Sequence, residues 1–373
     1  MDALRAGAAL LVLFGHVRHL VLVHYATIEA PSLIERAFYA VTTLGHSAVI
    51  IFFALSGYLV GGQALSAMLA KRWSWRRYLL RRMTRLWIVV LPALALTWVF
   101  DSLSVKLDPE GLRTFLADPF IRDDFDHSLR TLLANVFFLQ DVVAPTYGTN
   151  GPLWSLSNEF WYYLILPVAF SLVLIRQGWA LRLLSIAVLG TATLLLPFPL
   201  VVLGVIWLAG ALTYLLATNP RLQGFFRHGL VRLAALALVV GGFVFDHRMG
   251  LTPDIALGFA VAAALPVIAH LPSGGTLYRA VATRLASFSY TLYVVHFPYV
   301  AFVAAVLTEP TRWRFGFEGV GIFAAVVAGA LLLALVMWWL FERHTDAVFR
   351  YLSSLTLARR KPVAGVAGGS TPT

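Results

Sequence analysis

Runs of about twenty largely apolar residues, the length that crosses a bilayer as a helix, recur along the chain. They fall near residues 3–23, 40–60, 79–101, 153–175, 180–197, 199–217, 230–247, 252–270, 287–307 and 318–341. Polar segments separate most of them, and Pro197-Phe-Pro199 predicts a tight turn between the fifth and sixth. The pattern predicts an all-α integral membrane protein of about ten transmembrane helices, since open strands cannot satisfy their backbone in lipid. One long segment, about 102–150, begins charged and ends apolar (Leu132 to Val143), which predicts a short helix capping one surface. Residues 1–345 read as one transmembrane unit and 346–373 as a tail whose Gly-, Pro-, Ser- and Thr-rich end is expected to be disordered. Arg5 and the apolar residues after it resemble a secretory signal, but no small-x-small cleavage site follows, which predicts an uncleaved first span.

Composition sharpens this picture. The 373 residues are 60% hydrophobic and only 13% charged, with a mean hydropathy of +0.79. A soluble domain carries about twice that charged fraction. The absence of cysteine excludes disulfides, thiolate-held metals and thiol nucleophiles. A net charge of +11 would suggest nucleic acid in a soluble protein. Here about twenty of the 29 Lys and Arg fall in alternate loops, among them Lys71, Arg72, Arg76, Arg77, Arg176, Arg182 and Arg279. The acids Asp101, Asp108, Glu110, Asp118, Asp123, Asp124 and Asp126 gather on the other side. The positive-inside rule then places both termini in the cytoplasm, makes the charge topological and removes the case for nucleic acid.

The ionisable groups inside the apolar runs are the candidate chemistry. At about 100° per residue, Arg5 and His16 share one face of the first helix, with Asp2 within about 60° of both. Such a stripe must face protein or a water-filled cavity. At about 1.5 Å per residue, His16 of the first span, Glu159 of the fourth and His296 of the ninth come within one helix turn of the midplane. A central polar cavity holding a His–Glu pair accounts for all three, the carboxylate fixing the tautomer and raising the basicity of the ring. Lone membrane histidines also serve as interhelical hydrogen-bond donors, and His296 fits that reading equally. At the start of the third span, Arg81, Arg82 and Arg85 stack at i,i+3 and i,i+4, with Arg5 at similar height. They suit a phosphate cradle or act as topology signals. In the second span Ser56 precedes Gly57, where close helix or ligand approach is expected. No ligand pair at helical spacing supports a metal site.

Six blocks in order resemble the acyltransferase-3 family of membrane-bound O-acyltransferases. They are Asp2-x-x-Arg5 with His16, Phe52 to Tyr58, Arg81-Arg82-x-x-Arg85, Pro152 to Glu159, Ser289 to Pro298, and Glu342-Arg343. The resemblance implies transfer of an acyl group, usually acetyl, from cytoplasmic acyl-CoA to a hydroxyl of a carbohydrate acceptor, with no bound cofactor. Under it, Arg81, Arg82 and Arg85, with Arg5, hold the phosphates of CoA. His16 is a general base or transient acyl carrier, Glu159 orients or balances a histidine, and Asp2 holds Arg5. Ser56, Trp154 and His296 line the substrate cavity, and His296 is placed to donate to the thioester oxygen. The expected setting is the cell membrane, multi-pass. A small glycosylated metabolite of macrolide type is an alternative acceptor. A flippase for a polar lipid-linked sugar is the alternative of another class, weakened by the absence of internal repeats.

Overall fold

The computed structural model describes residues 1–116, 125–175, 178–246, 250–272, 274–308 and 312–358. Among these residues there is no strand, only two isolated bridges, Leu22–Trp313 and Gln140–Ala144. The long apolar helices are α1 (Asp2–Val21), α2 (Leu33–Leu69), α3 (Trp75–Leu107), α4 (Leu153–Leu174), α5 (Trp179–Leu195), α6 (Phe198–Thr218), α7 (Gly229–Asp246), α8 (Leu251–Ala269), α9 (Thr276–Val303) and α10 (Phe317–Leu340). Among the described residues, nine helical stretches are long and apolar enough to cross a membrane, and α5, at 17 residues, is shorter. The expected disorder of the last dozen residues lies outside the described residues. The start of the expected tail is instead a helix, Thr345–Ala358, which lies against α3.

Helix ends overrun the apolar windows because hydropathy marks only the lipid-facing length. The 33-residue α3 begins where the Ser74 hydroxyl accepts from the Arg77 amide at 3.4 Å, four residues before the apolar run. Stretch α2 pauses at Thr43 and Leu44 and widens into a π turn at Gly57–Gly61. That turn lies against Trp207 of α6, and a side chain at Gly57 would collide with the Trp207 backbone.

The buried centre is α1 against α9 and α2, with α3, α6, α8 and α10 around it, while α5 buries no residue and lies at the rim beside α4. Four prolines lie inside the described helices, Pro92, Pro167, Pro266 and Pro298, each leaving a carbonyl without its usual helical amide, and at two of them another segment supplies the donor. Pro298 frees Val294 O, which accepts from Asn150 Nδ2 at 3.0 Å. Pro167 frees Tyr163 O, which accepts from the Tyr78 hydroxyl at 3.1 Å. At these two sites the broken bond is thus remade by another segment, as suits a backbone shielded from water.

Between α3 and α4 run two short helices, Pro109–Leu116 and Leu129–Val136, the second running into the apolar part that was expected to hold a short helix. Asp126, below the usual carboxylate range because Thr131 and Ser128 donate to it, organises that helix start. Asp101, read from sequence as a loop acid, sits buried in α3. It accepts from His127 Nε2 (2.8 Å), Thr149 N (2.9 Å) and Thr149 Oγ1 (2.6 Å), and so pins the segment 146–152 over the helix ends.

Candidate functional site

Gly15 and Gly45 cross in near backbone contact. A Cβ on Gly15 would lie 3.0 Å from Thr42 O and 3.3 Å from Gly45 Cα. This crossing presents the residue after each glycine, His16 and His46, to one cavity of about 190 Å³. Thr146, Thr149, Trp154, Tyr293 and Phe297 complete its main walls. The cavity therefore lies at the end of the bundle that carries the segment 146–152.

His16 Nδ1 is 2.8 Å from Nε2 of the buried His296, and the rings stack at 5.1 Å with 19° between planes. Hydrogen-bond logic fixes both tautomers of the neutral pair. His296 Nδ1 lies 2.9 Å from Leu292 O, a carbonyl that can only accept, so Nδ1 carries the proton and Nε2 is bare. His16 Nδ1 must then be the donor to it, which leaves the His16 Nε2 lone pair as the acceptor. Phe297 closes edge-on against the His16 ring at 4.9 Å. Next to His296, Tyr293 places its hydroxyl 2.5 Å from Ser155 Oγ. The arrangement provides a base, a relay that accepts its positive charge, and a hydroxyl pair beside it.

Glu159 is not part of that pair. Its Oε1 accepts from Ser56 Oγ at 2.6 Å and Tyr163 OH at 2.5 Å, and Trp207 Nε1 donates to Ser56 Oγ at 3.2 Å. In place of the expected His–Glu pair there are two clusters: His16 with His296, and Glu159 with Ser56, Tyr163 and Trp207. The rise along each helix set the heights but not the direction in which Glu159 points.

The arginines form a third cluster, on the other side of Glu159 from the histidines. Arg82 lies over Tyr78 (6.0 Å) and Tyr163 (5.9 Å), and its Nε is a buried donor without a hydrogen-bond partner. Arg85 lies over Tyr290 at 5.5 Å and pairs with the buried Glu342 at 3.5 Å. Glu342 also accepts from Thr291 N (3.2 Å) and Thr291 Oγ1 (2.6 Å). Arg81 points outward to Asp346 (3.6 Å) and Phe349. Arg5 is in electrostatic reach of Arg85, Asp2 and Glu342. Asp2 accepts from Thr283 Oγ1 at 3.3 Å and acts on Arg5 through space.

Residues 1–339 match the acyltransferase domain that defines the acyltransferase-3 family. The chain belongs to that family. It is also similar to an O-acetyl transferase of Shigella phage Sf6, 28% identical over 175 residues. That stretch is 45% of this chain and 44% of the phage protein, so the match spans less than half of either. No solved structure matches the chain.

Within this acyltransferase-3 chain, a column of tyrosines links arginines to histidines: Tyr78, Tyr163, Tyr290 and Tyr293, with Glu159 beside it. Sequence reasoning missed it, although Tyr163 is i+4 from Glu159, and Tyr290 and Tyr293 lead to His296 in steps of three. Glu342 was visible only as a motif residue, with no sign that it is the counterion of Arg85. His46 carried no signal of its own.

Proposed function

We propose that the protein is a membrane O-acyltransferase. It takes an acyl group, acetyl in the simplest case, from cytoplasmic acyl-CoA and places it on a hydroxyl of a carbohydrate acceptor held in the cavity. The observation that carries this reading is the His16–His296 relay, which leaves a basic nitrogen on a residue that walls a cavity. His16 Nε2 takes the hydroxyl proton as the acceptor oxygen attacks the thioester carbonyl. The imidazolium then formed is stabilised through Nδ1–H, which already donates to His296. The C–S bond breaks, the ester stays on the acceptor, and the proton leaves with the CoA thiol. Tyr293 lines the cavity and is the hydroxyl that would serve the developing oxyanion by turning from Pro152 O and Ser155, which hold it in the resting protein.

The same reading assigns the CoA phosphates to Arg82 and Arg85, with Arg5 and Arg81 at the edge, and the unpartnered Arg82 Nε supports it. Glu159 acts as a positioning residue that holds Ser56 and Tyr163 along the route between the two ends. In this scheme about ten helices span the cell membrane with both termini cytoplasmic, and the acceptor enters from the far side.

Purified protein incubated with labelled acetyl-CoA and a panel of glycans and glycosides should yield ester-linked label. His16→Ala, at unchanged membrane level, should cut the label by about a hundredfold or more. Movement of a lipid-linked sugar with no label transfer would replace this reading with that of a flippase.

A further inference from the structure

The cavity has a second imidazole that the acyl-transfer scheme does not use. His46 enters it from α2, directly after the Gly45 that crosses Gly15, so the glycine contact sets the two histidines against one space. His46 Nε2 lies 2.8 Å from Oδ1 of Asp254 on α8, whose side chain is 9% exposed, whereas the His46 side chain remains 38% exposed. A carboxylate only accepts, so Nε2 carries the proton and Nδ1 is the ring atom left for a ligand. Behind the pair, Asp246 of α7 accepts from Ser47 and stands against Asp254. Three helices thus brace one ring that is only partly covered, next to the residue read as the base.

A carboxylate-held imidazole facing a cavity suits recognition of a neutral hydroxyl: the neutral ring accepts O–H and the charged ring donates to oxygen. We infer that His46 is the specificity residue of the acceptor subsite, and that the acceptor is a polyol whose second hydroxyl binds His46 while the first meets His16. This inference rests on the proposed acyl transfer. The Asp254 carboxylate is a positioning residue that accepts from one ring nitrogen and so fixes the orientation of the other.

The test compares two ring acceptors in protein held in lipid nanodiscs: methyl α-glucopyranoside, with several hydroxyls, and tetrahydropyran-4-ol, with one. The readout is the ratio of their kcat/KM values with labelled acetyl-CoA. Wild type should favour the polyol by about tenfold or more, the worth of one good hydrogen bond. His46→Leu should bring the ratio close to one. Because that variant strands a buried carboxylate, His46→Leu/Asp254→Leu, which removes both partners, is measured alongside and should give the same collapse. A ratio near one in wild type, or a ratio that survives in the folded double variant, overturns the subsite while leaving acyl transfer standing. No transfer to either probe by protein that labels a glycan of the panel overturns the subsite alone, and no transfer to any acceptor overturns both.

Discussion

His16 and His296, 280 positions apart in sequence, meet ring to ring with Nδ1 2.8 Å from Nε2. The Leu292 carbonyl orders the pair from behind, so the proton positions follow from the acceptor at the end of the chain of bonds. His16→Ala should lower kcat by about 10²–10⁴, the usual worth of a positioned base. His296→Ala should lower kcat less and leave the KM for acetyl-CoA unchanged, since it removes only the relay. Steady-state rates at saturating donor check both. Equal losses in kcat and donor affinity would assign His296 to binding instead.

Arg82 is the cleaner probe of the donor site. Arg85→Ala also strips the buried Glu342 of its counterion, so its effect mixes binding with folding. Arg82→Ala should raise the Kd for CoA about tenfold or more, the range of a lost charge-assisted hydrogen bond, at near-normal protein yield. Titration of CoA onto purified variants measures it, and an unmoved Kd removes Arg82 from the donor site.

Glu159 gathers two hydroxyls and, through Ser56, an indole. Glu159→Ala should therefore lower the unfolding temperature in detergent as well as activity, because the Tyr163 and Ser56 hydroxyls lose their acceptor. Glu159→Gln keeps an oxygen in place and should retain most of the stability. Thermal melts of the two variants separate a structural acceptor from a required charge. If Gln is as unstable as Ala, the negative charge itself holds the cluster.

Gly15 permits the crossing that forms the cavity. With Thr42 O only 3.0 Å from an added Cβ, Gly15→Ala requires α1 and α2 to move apart by a few tenths of an ångström, and Gly15→Val requires more. Activity should fall in that order and faster than membrane expression falls. Parallel losses in both would mean that the contact serves folding alone.

The apolar runs made the helix bundle legible, because membrane spans announce themselves by length and hydropathy. His16 and His296 were also within reach of sequence reasoning, each falling near mid-depth when counted from its own end. Glu159 shows where such counting fails: height came from the 1.5 Å rise, but facing depends on how α4 is rotated against α2 and α6. His46 and Asp254 were beyond reach for a related reason. Their contact needs α8 beside α2, and nothing in the order of spans specifies which distant helices become neighbours. Asp101 was misplaced because an acid at the end of an apolar run looks like a loop residue until the helix is seen to continue past it and its three donors are found.

The amide of Asn150 has a double task. By donating to Val294 O, it takes up the carbonyl that Pro298 leaves open in α9, two residues from His296. It does so from within the segment 146–152 that roofs the cavity, itself tethered by Asp101. Whatever presses on that roof therefore also bears on the helix that carries His296, so the shape of the entrance and the setting of that ring are mechanically linked.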